Sequence, residues 1–278
     1  MFAHPLRRRA VRGSTGFVRS GIADVRQTAR MHLHELHQSG TFVVVNVHDV
    51  GSGVAAADAG AVALATTSSG HARSLGRDDG EVSKDEALRR AADIAARVDI
   101  PVTIDAENFW CHSPEDVAAT VAQLIDTGAQ GASIEDWPNE PGRGTYEMGL
   151  ATERVQAAVE AAAAIDPAFV ICARADGLIR DIPELDDAIT RLRAFSAAGA
   201  GCVYAPGIAA LDDIARVVSS VDAPVNALVP LGSPLTVPQL AEIGVRRISI
   251  GGSLQAAAYD WIATQVRGML DPGSFALD

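Results

Sequence analysis

From residue 42 onward, short apolar runs rich in β-branched residues alternate with longer stretches in which apolar side chains recur every three or four positions. The short runs fall at 42–47, 62–65, 101–104, 132–134, 169–173, 202–205, 224–228 and 247–250. Their length and their Gly, Pro or polar boundaries predict strands. The Ala-rich periodic stretches between them predict helices over 84–98, 114–127, 152–165, 184–198 and 211–221, with a last helix over 253–270. Gly128 and Gly199 follow two of these helices, and Gly244 follows a further such stretch, where a left-handed residue commonly ends the last turn. Eight strand–helix units in about 230 residues predict an α/β fold, a (β/α)8 barrel of the TIM type, as one domain over 22–278. The alternative, an open doubly wound sheet, would normally show a GxGxxG turn after an early strand. Asp49-Val50-Gly51-Ser52-Gly53 lacks that spacing.

Two segments precede this rhythm. Residues 1–21 carry Arg7, Arg8, Arg9, Arg12 and Arg19 with no acid before residue 24, and read as a basic, flexible extension. A transit segment or an anion-binding arm are the other readings. A helical pattern follows over 22–38 and carries His32, His34 and His37. His34-Glu35-Leu36-His37 is not HExxH, and His32 and His34 face different sides of a helix, so a structural role is expected for the three.

Composition narrows the function classes. The 278 residues are 48% hydrophobic and 21% charged, which excludes a disordered chain. A formal net charge of −12 argues against a general nucleic-acid binder. No apolar run approaches the ~18 residues of a membrane helix, and no secretory apolar segment follows the N-terminus. Cys111, Cys172 and Cys202 form no CxxC pair, so a reducing, cytoplasmic setting is expected. Aromatics are only 5% of the chain, which fits a barrel wrapped in Ala-rich helices.

In such a barrel, chemistry gathers at the C-terminal ends of the strands. Those ends here are polar almost without exception. Strand one ends near Asn46, His48 and Asp49, and strand two in Thr66-Thr67-Ser68-Ser69. Strand three ends in Asp105 and Glu107, strand four in Glu135-Asp136, and strand five in Arg174-Ala175-Asp176. Strand seven contains Asn226 and strand eight Ser249. Asp105, Glu107 and Glu135 come from adjacent strands, and Asp79 lies in the loop after strand two. Four carboxylates in one concave mouth repel unless a cation joins them. All-oxygen donors point to Mg2+, with Mn2+ possible, and Mg2+ keeps enough water that one acid can be the direct ligand. Pairing with arginines or helix capping are the alternative uses of these acids. Arg174 would face a substrate carboxylate or growing negative charge, or pair with Asp176 or Glu135. Thr67, Ser68 and Ser69 offer amides and hydroxyls for a small anion.

These residues resemble the isocitrate lyase / phosphoenolpyruvate mutase superfamily over about residues 31–258. The resemblance rests on SGTFVVVNVHDVGSG (39–53), ALATTSSGHARSLGRDDG (63–80), PVTIDAE (101–107), GASIED (131–136), ARAD (173–176) and GVRRISIGG (244–252). It implies a Mg2+-dependent enzyme of small 2-oxo or 2-hydroxy carboxylates that works through a metal-stabilised enolate. Asp105 would be the direct metal ligand, with Glu107, Glu135 and Asp79 holding metal-bound waters. Thr67 and Ser68 would bind the substrate carboxylate beside Asp49, and Arg174 would stabilise the enolate. The resemblance also implies dimers or tetramers that exchange the last helix.

Departures from the family pattern shape the expected activity. The lyase loop Lys-Lys/Arg-Cys-Gly-His is replaced by Trp137-Pro138-Asn139-Glu140-Pro141-Gly142-Arg143. Isocitrate and methylisocitrate cleavage are therefore not expected. Trp137 also stands where mutases carry Lys, and no Asn-Ser follows. Asn108-Phe109-Trp110-Cys111-His112 replaces a Gly-Tyr-Gly type turn and suggests, with Trp137, an apolar-walled pocket. His48, His71 and His112 fall on mouth-side loops, where each is a candidate general acid or base. The leading expectation is a lyase cleaving a C–C bond of a small 2-oxo or 2-hydroxy (di)carboxylate, decarboxylation of oxaloacetate or retro-aldol cleavage of a substituted malate. P–C bond chemistry and a non-catalytic ligand-binding barrel are the alternatives.

Overall fold

The computed structural model describes residues 31–271 apart from 141 and 183, together with 273 and 275. The eight runs form β1 (Phe42–Val47), β2 (Leu64–Thr66), β3 (Val102–Asp105), β4 (Gly131–Glu135), β5 (Val170–Arg174), β6 (Cys202–Tyr204), β7 (Val225–Leu228) and β8 (Arg247–Ser249). They close in sequence order into one parallel barrel, as the periodicity predicts. Helix α1 (Leu33–Gln38) precedes β1; between the strands lie α2 (Val50–Asp58), α3 (Ser68–Ser74), α4 (Lys84–Ala95), α5 (Pro114–Asp126), α6 (Met148–Ile165), α7 (Leu185–Ala197), α8 (Leu211–Val218) and α9 (Val237–Glu242), and α10 (Ser253–Leu270) follows β8. Gly128, Gly199 and Gly244 adopt φ of 82°, 91° and 90°, the left-handed geometry expected after α5, α7 and α9.

Two short helices carry no amphipathic signal. In α2, VGSGVAAAD, two glycines oppose helix formation, but Asp49 and Ser52 form a reciprocal cap that satisfies the free amides of the first turn. In α3, SSGHARS, Thr67 is the N-cap. Strand two therefore stops at Thr66 instead of running into the hydroxyl cluster, and Ser68 opens a helix. The helix expected over 22–38 begins, among the described residues, only at Leu33, because His32 and Glu35 cap it there. Residues 22–30 and the basic extension lie outside the described residues.

α1 plugs the N-terminal end of the barrel. Leu33 and Leu36 pack with Phe42, Val44, Ala63 and the thiol-bearing Cys172 and Cys202. A Cβ on Gly131 would meet the carbonyl of Val170 at 2.6 Å and Leu33 at 2.8 Å, so only glycine allows α1 and β5 to close over β4. His37 is buried in this plug, donates from Nδ1 to the Leu33 carbonyl at 2.8 Å, and meets Phe42 edge-on. Because the ring nitrogen faces a carbonyl oxygen, Nδ1 is the donor. Burial, and then the charge of Arg247, lowers the His37 pKa to about 3.

This predicts an acid-labile plug. With a folded pKa below the unfolded value, the unfolded chain binds more protons between pH 6.5 and 3, so stability falls as pH drops through that window. At pH 5 the loss from His37 is about 2 kcal/mol relative to neutral pH. Urea unfolding of His37→Gln should show a correspondingly smaller loss between pH 7 and 5. Equal losses in variant and wild type would refute this.

Candidate active site

At the C-terminal end of the strands the barrel opens into a cavity of about 200 Å³. Its chemistry follows from strand alternation: every second residue points inward, so Thr103 and Asp105 on β3, Ser133 and Glu135 on β4, and Arg174 at the end of β5 share the interior. Arg174 ties the mouth together. Its Nη1 lies 2.9 Å from Asp105 Oδ1 and 2.9 Å from Glu135 Oε1. Its Nε and Nη2 grip both oxygens of the buried Asp176 at 3.0 Å each. Asp105 also accepts from the Ser68 amide at 3.0 Å and the Ser133 hydroxyl at 3.3 Å. Arg180, on the 3-10 turn Gly177–Arg180 after β5, approaches Glu135 at 3.8 Å and stacks on Trp137 at 5.2 Å.

The site is short of positive charge. Against Asp79, Asp105, Glu107, Glu135 and Asp176, the main opposing charges among the described residues are Arg174 and Arg180. Burial and then the charge of Asp105 raise the Asp79 pKa, and burial with Asp105 and Asp79 pushes Glu107 up to about 7. Burial raises Glu135 well above the usual carboxylate range, although Arg174 opposes it. Three acids that resist ionisation mark a place where one hard cation would lower the electrostatic cost of all of them. The donor set is entirely oxygen, which suits Mg2+ or Mn2+. Among the described residues no three His, Cys, Asp or Glu side chains converge closely enough to cage an ion. The residues therefore fit a cation held by few direct protein ligands with its water shell largely kept, and Asp105, the most connected acid, is the one placed to touch it.

The sequence model of the family described as phosphoenolpyruvate phosphomutase matches residues 33–270. The chain belongs to this family. A 2,3-dimethylmalate lyase described as a PEP mutase/isocitrate lyase superfamily member shares the barrel fold, with a TM-score of 0.80 at 23% identity. Protein Rv1998c of Mycobacterium tuberculosis (strain ATCC 25618 / H37Rv) is 30% identical over 243 residues, 87% of this chain and 90% of its own. A Burkholderia cenocepacia J2315 protein described as a lyase/mutase superposes with a TM-score of 0.85 at 38% identity, covering 91% of this chain and 92% of its own. Oxaloacetate acetylhydrolase, solved with its product oxalate, superposes with a TM-score of 0.79 at 25% identity over 90% of each chain.

Within this phosphomutase-family barrel, Thr67, Ser68, Ser69, Asp79, Asp105, Glu135 and Arg174 all line the cavity. The other candidates surround it. Glu107 is buried two residues after the end of β3, and its carbonyl accepts the Glu135 amide at 2.8 Å. Asp49 caps α2 through the Ser52 amide at 2.7 Å. His48 packs edge-on against Tyr259, and its Nδ1 is buried without a partner among the described residues. His71 is buried on α3, and burial lowers its pKa. His112 is half exposed and bridges Tyr146 Oη at 2.6 Å and Glu140 at 3.2 Å. Asn226 is buried and holds Ser249 and Arg247 instead of lining the cavity. Trp137 reaches the site through Arg180.

One expectation is overturned. Phe109 is fully buried in the main hydrophobic core, and Trp110 packs against that core, so neither is a cavity wall. The backbone explains it: Glu107, Phe109 and Trp110 take left-handed φ of 49°, 61° and 53°, turning the two rings away from the mouth. The fully buried Arg154 holds this turn by donating to the carbonyls of Asn108, Cys111 and His112 at 2.7–2.8 Å, stacked on Tyr146 at 4.3 Å. Arg180, Tyr204 and Arg247 line the cavity without having been singled out. Arg247 was legible in principle, since it stands two residues before the inward Ser249 on the same strand.

Proposed function

We propose that this chain is a Mg2+-dependent lyase that breaks a C–C bond of a small 2-oxo or 2-hydroxy (di)carboxylate, leaving an enolate. The observation that carries the reading is Arg174 gripped between Asp105, Glu135 and Asp176 directly beneath the Thr67–Ser68 turn. The name of the oxaloacetate acetylhydrolase neighbour, whose substrate is a four-carbon 2-oxo dicarboxylate, supports it. When bound at Asp105, the cation would supply the Lewis acidity that spreads the charge left by the broken bond.

The chain's own groups supply the rest. Arg174 is held so firmly by its acids that its pKa is raised well above the ordinary guanidinium value, making it a fixed positive charge and no proton donor. Fixed charge preorganised where negative charge develops lowers the barrier without reorganisation cost. The hydroxyls of Thr67 and Ser69, 3.3 Å apart, and the Ser68 side chain orient the substrate carboxylate. Burial raises the pKa of both cavity acids, Asp79 modestly in company with the charge of Asp105 and Glu135 well above the carboxylate range, so Glu135 is the cavity acid placed to hold a proton.

Incubating the protein with Mg2+ and a panel of oxaloacetate, malates and alkyl-substituted malates should release a 2-oxo acid from at least one member, and EDTA should stop it. Phosphonopyruvate belongs in the panel, read by phosphorus NMR. Cleavage of it alone would move the assignment to P–C chemistry. No turnover of any member would remove the lyase reading.

The proposal extends to assembly. α10 exposes Trp261 (52%), Ile262 (50%), Val266 (44%) and Leu270 (81%), an apolar stripe that a second copy would cover. Light scattering should show a dimer or tetramer, and Ile262→Asp with Val266→Asp should shift the mass to the monomer. A monomeric wild type at tens of micromolar would contradict this. A reducing, cytoplasmic setting is part of the same reading, supported by the three free thiols.

A further inference from the structure

Arg247 is the first residue of β8, and its side chain points into the barrel below the site just described. It is only 5% exposed, yet it lines the cavity. Its Nε donates to Asn226 Oδ1 at 2.8 Å and its Nη2 to Cys172 Sγ at 2.9 Å. Its Nη1 has no partner, and among the described residues no carboxylate is paired with it. A buried guanidinium without a counter-ion is costly, and an unpaired donor beside it adds to that cost. The nearest compensating group is the Cys172 thiol. Burial raises its pKa, but hydrogen bonding with Cys202 and the charge of Arg247 bring it down to about 7.

The depth of Arg247 is set by its partner. Cys172 lies two residues before Arg174 on β5, so Arg247 reaches about 6.6 Å below the level of Arg174. The cavity wall between these levels carries the hydroxyls of Thr103, Ser133 and Ser249. The carboxylate carbons of a four-carbon dicarboxylate are about 4 Å apart. With a hydrogen bond of about 2.9 Å at each end, such a molecule reaches across about 10 Å, more than the one barrel layer that separates the two cations.

We propose that Arg247 forms a second anion-binding position at the floor of the barrel, which takes the distal carboxylate of the substrate while the Thr67–Ser68 turn and Arg174 hold the other end. Asn226 acts through Arg247 as a positioning residue. The inference rests on the reading of the mouth as the site of a small 2-oxo or 2-hydroxy acid, and it assigns specificity for a second carboxylate to the floor instead of the rim.

Calorimetry with the full-length protein and Mg2+ tests it with three probes. Oxalate fills the upper position only, malate reaches both, and 2-hydroxybutyrate replaces malate's distal carboxylate by a methyl group. Wild type should bind malate about tenfold or more tighter than 2-hydroxybutyrate, the worth of a charge-assisted hydrogen bond. Arg247→Met should lose that preference while keeping oxalate affinity within about threefold, which also shows that the variant is folded. Arg247→Lys, which keeps the charge, should retain part of it. Equal binding of malate and 2-hydroxybutyrate by the wild type overturns the proposal. So does a preference kept in Arg247→Met but lost in Arg180→Met, which would put the distal carboxylate at the rim. Failure of the wild type to bind oxalate in a Mg2+-dependent way overturns the reading of the mouth, and this inference with it.

Discussion

Asp105→Ala is expected to abolish turnover and its response to added Mg2+ together, by about a thousandfold or more in kcat. Asp105 is the point where the rim, the floor and the arginine meet. One oxygen takes Arg174 and Ser133, and the other takes the Ser68 amide. Removing it withdraws the acid placed to touch the cation; the remaining acids, whose pKa values the charge of Asp105 raises, then ionise more readily, but none of them takes its place as the direct ligand. Asp105→Asn keeps the shape and the Ser68 contact but not the charge, so it should lose activity nearly as fully while unfolding near the wild-type midpoint. Steady-state rates against Mg2+ concentration decide the matter. Full activity in either variant would show that the cation, if used, is bound elsewhere.

Arg174→Ala should cost both rate and stability. Asp176 is fully buried and Glu135 nearly so, and each would lose its main cation. Leaving buried carboxylates unpaired costs about 3–5 kcal/mol, or forces protonation. Arg174→Lys separates charge from geometry. A lysine keeps one positive charge but cannot send separate N–H groups to Asp105, Glu135 and both oxygens of Asp176. Its urea midpoint should lie between those of wild type and Arg174→Ala, while kcat falls by about 100-fold or more. A lysine variant with wild-type kcat would show that Arg174 is a structural clamp only.

The fold was legible because a parallel barrel buries its strands on both faces, so each reads as an apolar run. β1 and α10 coincide with the expected ranges, and the other strands differ by two residues or fewer at either end. The helices α2 and α3 were not legible, since their stability comes from caps at Asp49 and Thr67 and not from an apolar stripe. The same division holds in the site. Asp105, Glu135 and Arg174 could be read because strand ends converge by topology. Phe109 could not, since its direction depends on left-handed backbone held by Arg154 from a distant helix. Arg180 lies in a turn without period, and its aim is set by Trp137 and Glu135, which only the folded chain brings beside it.

The central claim is that this mouth holds a carboxylate together with a divalent cation. A crystal structure of the protein grown with Mn2+ and oxalate tests it most directly, because anomalous scattering locates the ion independently of the side chains. The account predicts Mn2+ and oxalate together in the cavity, with Asp105 as a direct ligand, Glu107, Glu135 and Asp79 reaching the ion through water, and Arg174 and the Thr67–Ser68 turn on the oxalate. Mn2+ bound away from Asp105, or oxalate bound outside the cavity while Arg174 keeps all its present partners, would contradict it.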